Sequence, residues 1–175
     1  MFFCKIIIPY LSNFVNTKNS LQQMIIYTIM YLYAYMRGNT MIEIKIAGTF
    51  DFSTIAENDK HISKPMLEKK LSDGEILVAQ LDGVFLGWLR FSYFWDEIPF
   101  MNMLGVVEAY RGHGIGRLLV EEWEGLMRDK GYDKVMTSTL ENEEAQHFYR
   151  KLGYRDLGKF TPFENEFELI LGKEI

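Results

Sequence analysis

The chain has 175 residues, 48% of them apolar and 25% charged, the composition of one ordinary soluble globular domain with a proper core. A net charge of −5 argues against a nucleic-acid partner held by general electrostatics. The single cysteine, Cys4, excludes an intrachain disulfide framework and suits a reducing, cytoplasmic setting. His61, His113 and His147 stand far apart without metal-ligand spacing, so no structural metal is expected.

The average charge hides a boundary. Residues 1–40 hold Lys5, Lys18 and Arg37 and no acid, so residues 41–175 carry a net −8. The first segment also contains an apolar stretch, Met24 to Met36, shorter than the ~20 residues of a membrane-crossing helix. It lies too far into the chain for a secretory signal, and no small-residue cleavage site follows. An extra helix packed on the domain, an interfacial membrane anchor and a non-native leader ahead of Met41 all remain open. The expectation is an N-terminal extension, 1–40, that the chemistry does not need, ahead of a domain at 41–175.

From Met41 the sequence alternates apolar and charged residues to Ile46, the pattern of a half-buried strand. Asp51 to His61 and Lys64 to Leu71 read as two short helices, the second with Pro65 near its start, where the missing N–H is harmless. Glu75 to Gln80 and Val84 to Tyr93 are strands joined by Leu81-Asp82-Gly83, and Asp-Gly between apolar runs is a strong hairpin signal. Phe94 to Pro99 reads as a loop, and an apolar run from Ile98 to Val107 as the central strand. A helix follows, with Ile115, Leu118, Leu119, Trp123, Leu126 and Met127 on one face. Gly131 ends it. Lys134 to Thr139 is a further strand. Asn142 is a candidate N-cap for a helix carrying Ala145, Phe148, Tyr149 and Leu152 on one face and stopped by Gly153. Tyr154 to Phe160 and Glu166 to Leu171 complete the sheet. Strands first, then strands alternating with helices, give an α+β fold with a mixed sheet rather than a doubly wound one.

The chain is organised around Arg111-Gly112-His113-Gly114-Ile115-Gly116, where the central strand turns into the long helix. Backbone N–H groups at a helix start are unpaired and carry partial positive charge, and without side chains they can close around a phosphate. The dinucleotide fingerprint G-x-G-x-x-G fails because Arg117 stands where its last glycine belongs. The nucleotide-binding G-x-x-x-x-G-K-S/T loop fails as well. The bland alternative is a glycine-rich turn that binds nothing, although three glycines at alternate positions cost helix stability and ask for a reason.

The pattern that does fit is Arg/Gln-x-x-Gly-x-Gly/Ala between strand and helix. Here the chain resembles the GNAT family of acyl-CoA-dependent N-acyltransferases. A second stretch strengthens the likeness: Asn142-x-x-Ala145-x-x-Phe148-Tyr149-x-x-x-Gly153-Tyr154 resembles the family's N-x-x-A-x-x-F-Y-x-x-x-G-F/Y signature, in the right order, one helix and one strand later. The resemblance runs from about Met41 to Lys173. It implies a mixed, mostly antiparallel sheet flanked by helices, with a splayed acyl-CoA cleft. The splaying bulge would lie in the central strand, where Gly105 is permissive.

By the resemblance, Arg111, Gly112, His113, Gly114, Ile115, Gly116 and Arg117 would hold the pyrophosphate of acetyl-CoA. The backbone of Leu104 and Val106 would face the acyl and pantetheine portion. Asn142 would contact pantetheine, cap its helix, or do both. Tyr149 would lie near the coenzyme sulfur and protonate the leaving thiolate, or only pack there. For the base the choice is Glu97, with Asp96 and Glu108 as neighbours and a water chain as the alternative. Two departures from the family pattern bear on this: Met101-Asn102-Met103 offers no acid inside the strand, and Glu108 stands where proline is common. The coenzyme itself carries the acyl group, so the absence of a plausible Cys/His or Ser/His pair is no obstacle. The implied function is transfer of an acetyl group from acetyl-CoA to a primary amine of a small molecule or peptide, by direct transfer. A coenzyme A-binding sensor without turnover is the alternative. The aromatic Tyr93-Phe94-Trp95 loop beside Asp96 and Glu97 would suit a cationic amine, against ordinary packing and solvated acids as the plain reading. A homodimer stays open.

Overall fold

The computed structural model describes residues 42–161 and 166–175. The extension at 1–40 lies outside the described residues. Seven strands form one sheet in the order β1-β2-β3-β4-β5-β7-β6. They are β1 (Glu43–Ile46), β2 (Ile76–Leu81), β3 (Val84–Phe94), β4 (Ile98–Val106), β5 (Lys134–Leu140), β6 (Arg155–Phe160) and β7 (Glu168–Glu174). Helices α1 (Phe52–Asn58) and α2 (Lys64–Ser72) precede β2, α3 (Ile115–Asp129) joins β4 to β5, and α4 (Ala145–Lys151) joins β5 to β6. Every strand pairing is antiparallel except β4 with β5. The sheet is therefore mixed and mostly antiparallel, as the resemblance implies. Among the described residues no helix is long and apolar enough to cross a membrane.

Alternation along the strands builds a core on each face. Leu77, Ala79, Leu89 and Phe91 join Ile115, Leu119, Val120, Trp123 and Met127 of α3 and Tyr149 of α4 on one face. Ile76, Val78 and Trp88 meet Ile55 of α1 and Leu67 and Leu71 of α2 on the other. The buried stripe of α3 includes Glu124, which its charge alone would place in solvent. Lys173 of β7 reaches it, Nζ to Oε2, at 2.6 Å.

Three local readings change. Helix α1 stops at Asn58, short of His61, because Asp59 turns extended (φ −94°, ψ 101°) and sends its carboxylate into the sheet. The stretch from Phe94 to Pro99 is a tight hairpin rather than a loop: Glu97 N–H donates to the Phe94 carbonyl at 3.2 Å. Its central residues, Trp95 and Asp96, hold φ of 53° and 59°. Left-handed tryptophan is uncommon, so the turn carried none of the usual glycine signals. The third change concerns Asn142, which does not cap α4. The cap position is Glu144, after a turn in which Glu143 N–H reaches the Leu140 carbonyl.

The pairing that matters most is the shortest. Strand β4 faces β5 at only two positions, Phe100 with Met136 and Met101 with Thr137. On its other side β4 pairs with β3 as far as Val106, with one interruption: Phe91 faces Met101 and Arg90 faces Met103. Asn102 is the extra residue, so the bulge lies there and not at Gly105. Gly105 has another reason to be glycine. A Cβ on it would stand 2.2 Å from the Trp88 ring. Trp88 is packed among the second core and donates its Nε1–H to Asp59 at 3.3 Å, so the ring has nowhere to retreat. Gly105→Ala should cost about 1–3 kcal/mol of stability, read as a lowered denaturant midpoint. An unchanged midpoint would mean that the ring moves freely.

Candidate active site

Beyond Val106 the chain makes one 3-10 turn, Glu108–Tyr110, and enters α3 through the glycine loop. Gly112 and Gly114 hold φ of 77° and 80°, the left-handed region that favours glycine. A Cβ on Gly112 would meet nothing within 4 Å, so that side of the loop is open to an outside group. Gly114 is the N-cap of α3 and makes no side-chain cap bond. The first internal donor of the helix is Leu118, whose N–H reaches the Gly114 carbonyl at 3.0 Å. The N–H groups of Ile115, Gly116 and Arg117 precede it at the positive end of a 15-residue helix. A pyrophosphate fits such a turn: it takes open donors and a close backbone approach, and both are present.

The other loop residues divide by what their side chains do. Arg111 is exposed and folds back, Nε donating to the Val106 carbonyl at 3.1 Å. His113 Nδ1 lies 2.7 Å from the Arg111 carbonyl. Ile115 is buried in the core and offers only backbone outward. Arg117 is half exposed and 3.6 Å from Glu121, a surface pair of little energetic weight. Gly116 joins three elements, since a Cβ there would touch Phe148 of α4 at 3.5 Å and Leu104 of β4 at 3.7 Å. Leu104 and Val106 pack half-buried against the first core, on the stretch of β4 that has left β5. Asn142 is exposed in the turn before α4.

Tyr149 sits buried on α4, its ring 5.3 Å from that of Phe148 and 5.7 Å from that of Tyr154. Burial pushes its phenol up to about 12, against the Thr137 hydroxyl hydrogen-bonded to it and with a further rise from the Glu143 carboxylate. Thr137 itself donates to the Met101 carbonyl at 3.0 Å. Met101 and Thr137 are the last pair across the two strands, so the phenol is tied to the point where they part. Glu143 is held by the Thr139 hydroxyl at 2.8 Å.

Glu97 is not part of this grouping. It lies exposed in the β3–β4 turn, five residues before the bulge and thus roughly 16 Å along an extended strand. The carboxylate whose charge reaches the phenol is Glu143. Thr137, Thr139 and Glu143 escaped the sequence reading, although a signal existed. In Lys134 to Leu140 the inward positions are Val135, Thr137 and Thr139, and two threonines on a core face need partners.

The model of the acetyltransferase (GNAT) family matches residues 44–154, and the chain belongs to that family. An uncharacterized N-acetyltransferase of Chlorobaculum tepidum is 29% identical over 85 residues, 49% of this chain and 52% of that one. The chain spans about a third to a half of the length of the curated relatives it matches. Ard1 from Thermoplasma volcanium superposes with a TM-score of 0.69 at 15% identity, over 77% of this chain and 97% of that one. The PaiA N-acetyltransferase from Thermoplasma acidophilum, solved with coenzyme A, gives 0.65 at 18% identity, over 78% and 100%. At these identities the two structures speak for the fold.

The buried phenol has a consequence for stability. Above pH 10 the unfolded chain releases the Tyr149 proton while the folded chain holds it, so stability falls as pH rises from 10 to about 12. By proton linkage the loss across that window is on the order of a few kcal/mol. Tyr154, also raised by burial and by Glu124, acts in the same direction. Thermal melts from pH 8 to 11.5 should show Tm declining less steeply in Tyr149→Phe than in the native chain. Equal slopes would mean that the phenol is not buried.

Proposed function

We propose that this chain is an acetyl-CoA-dependent N-acetyltransferase, moving an acetyl group directly to a primary amine of a small molecule or peptide. Membership of the family supports the reaction class. The observation that carries the reading is the placement of two features along one gap. The glycine turn opens α3 just beyond the stretch of β4 that β5 leaves uncovered, and the buried phenol is fastened to the last pair between those strands.

Acetyl-CoA supplies an acyl carbon activated by a thioester, together with a thiol as leaving group. The N–H groups of Gly114, Ile115, Gly116 and Arg117 hold the pyrophosphate, with Gly112 and His113 forming the loop wall and Arg111 adding charge at the rim. Backbone groups of Leu104 and the N–H of Val106, on the edge of β4 that β5 does not cover, take the pantetheine arm, the Val106 carbonyl being held by Arg111. Asn142, exposed in the turn before α4 and capping no helix, would bind the same arm.

The amine attacks the acyl carbon, a C–N bond forms, the C–S bond breaks, and the nitrogen loses one proton as sulfur gains one. A phenol at about 12 stays protonated at every working pH. It is also too weak an acid to give its proton outright to an ordinary thiolate of pKa about 8.5. Tyr149 therefore acts first as a hydrogen-bond donor to the developing thiolate, turning its one proton away from Thr137, whose own proton is spent on the Met101 carbonyl, and the proton lost by the amine balances the one gained at sulfur. Glu97, remote in its turn, has no place in this scheme.

Calorimetric titration with acetyl-CoA, followed by a thiol-release screen across amine classes, tests the proposal. Binding with release on one class supports it. Binding without release on any class transfers the chain to the sensor reading, and no binding ends both. Gly114→Glu should abolish coenzyme binding, because it puts bulk and negative charge where the backbone meets the pyrophosphate; unchanged affinity would remove the loop from the site. Tyr149→Phe should lower turnover by about 10- to 100-fold with coenzyme affinity little changed. Native turnover in that variant would leave the phenol a packing role only.

A further inference from the structure

On the face of the sheet covered by α1 and α2, one buried charged group is incompletely paired. Arg90 of β3 is buried, with its side chain 9% exposed, and its Nε donates to Asp59 Oδ2 at 2.9 Å. Asp59 accepts two further bonds. Oδ2 also accepts from Trp88 Nε1 at 3.3 Å, and Oδ1 accepts from the His61 N–H at 3.0 Å. The guanidinium is thus gripped along one edge only. Among the described residues its two Nη atoms have no hydrogen-bond partner, and neither is sealed from solvent. A buried guanidinium with its outer fork unfilled calls for a ligand or ordered water.

The place of that fork in the sheet is informative. Arg90 pairs with Met103, immediately beyond the Asn102 bulge, where β4 has just left β5. Met103 packs with the second core, whereas Met101, Leu104 and Val106 pack with the first. Arg90 therefore lies beside the apex of the gap, on the side opposite α3 and its glycine loop. Its near neighbours are Trp88, which shares Asp59 with it, Ile76 and Met103 across the two flanking strands, and the Lys70–Glu75 ion pair, whose Nζ also reaches the carbonyl of Phe91, the next residue. A fixed, end-on pair of donors matches the planar oxygens of a carboxylate or an amide carbonyl. Because Asp59 has taken one edge, the fork cannot swing away, and recognition needs little reordering.

We infer that Arg90, held by Asp59, selects acceptors that carry a carboxylate or carbonyl oxygen close to the reacting amine, and that simple alkylamines are poor acceptors. This rests on the acetyl-transfer reading above and narrows its acceptor class. An amino acid would present a carboxylate there, and a peptide N-terminus an amide carbonyl.

The test uses phenylalanine, phenylalanine amide and 2-phenylethylamine, which share a skeleton and differ in the oxygen group. They also differ in basicity, so the readout is how the ratio of kcat/KM values changes between native chain and variant. Arg90→Lys keeps a charge for Asp59 but loses the fork; Asp59→Asn with Arg90→Met removes both buried charges in case the first variant fails to fold. Calorimetry with acetyl-CoA checks each variant for an intact coenzyme site. The native chain should favour the oxygen-bearing acceptors, and that advantage should shrink by about tenfold or more in the variants. An advantage for the acid alone assigns the site to a carboxylate, and one for the amide alone to a peptide carbonyl. The same ratio in native chain and folded variants overturns the inference, as does a native preference for 2-phenylethylamine. If coenzyme binds but no acceptor turns over, N-acetylphenylalanine and N-(2-phenylethyl)acetamide are compared by NMR titration of the coenzyme-loaded chain, and equal affinities overturn it. Absence of coenzyme binding to the native chain refutes the acetyl-transfer reading itself and is seen separately in the calorimetry.

Discussion

Two residue pairs hold β4 to β5, and then the strands part. In a parallel ladder of ordinary length the edge of β4 from Asn102 to Val106 would be covered by its neighbour. Here it keeps β3 on one side and leaves a row of backbone groups on the other that must find water or a ligand. The bulge at Asn102 breaks the register at the point of departure. Side chains then keep the gap from closing. Phe148 of α4 and Leu104 of β4 meet over Gly116, and Tyr149 is fastened through Thr137 to the Met101 carbonyl. Helix α3 begins a short turn beyond Val106, with the N–H groups of Ile115, Gly116 and Arg117 ahead of its first internal bond. One unfinished strand pairing thus leaves an uncovered strand edge that ends at the glycine turn and starts at the pair to which the buried phenol is fastened.

Two buried ion pairs brace the surrounding elements. Asp59 with Arg90 ties the end of α1 to β3, and Glu124 with Lys173 ties α3 to β7. Such pairs are poor sources of net stability, because desolvating both charges offsets most of their attraction. Losing one partner is a different matter, since it strands a charge in an apolar layer. Their effect is to make the alternatives to this arrangement costly. For Asp59 the constraint also ends α1 at Asn58, three residues short of the His61 its sequence suggested.

Much of this was legible in the chain. Asp82-Gly83 announced its hairpin, the stripe from Ile115 to Met127 announced α3, and the glycines at 112, 114 and 116 marked the strand-to-helix turn with its open donors. Each is a local property, written in a few adjacent residues. The misreadings were of interactions with distant residues. Trp95 and Asp96 form a tight turn without glycine because the flanking strands pair and force it. Asn142 looked like a cap, but the chain takes a different turn there and Glu143 reaches back to Thr139. Arg90 sat inside an apolar strand as a charge in need of a partner, and that partner, Asp59, is 31 residues earlier.

Sequence by itself determined the family, the order of strands and helices, the glycine turn at the helix start, and Tyr149 as a residue to watch, because spacing and backbone permissiveness are encoded locally. Only the tertiary structure decided where the sheet opens. It moved the bulge from Gly105 to Asn102 and gave Gly105 to the Trp88 ring. It also left Glu97 in a remote turn and brought Thr137 and Glu143 to the phenol. Those outcomes depend on strand register and on contacts between segments far apart in the chain, and no local pattern carries that information.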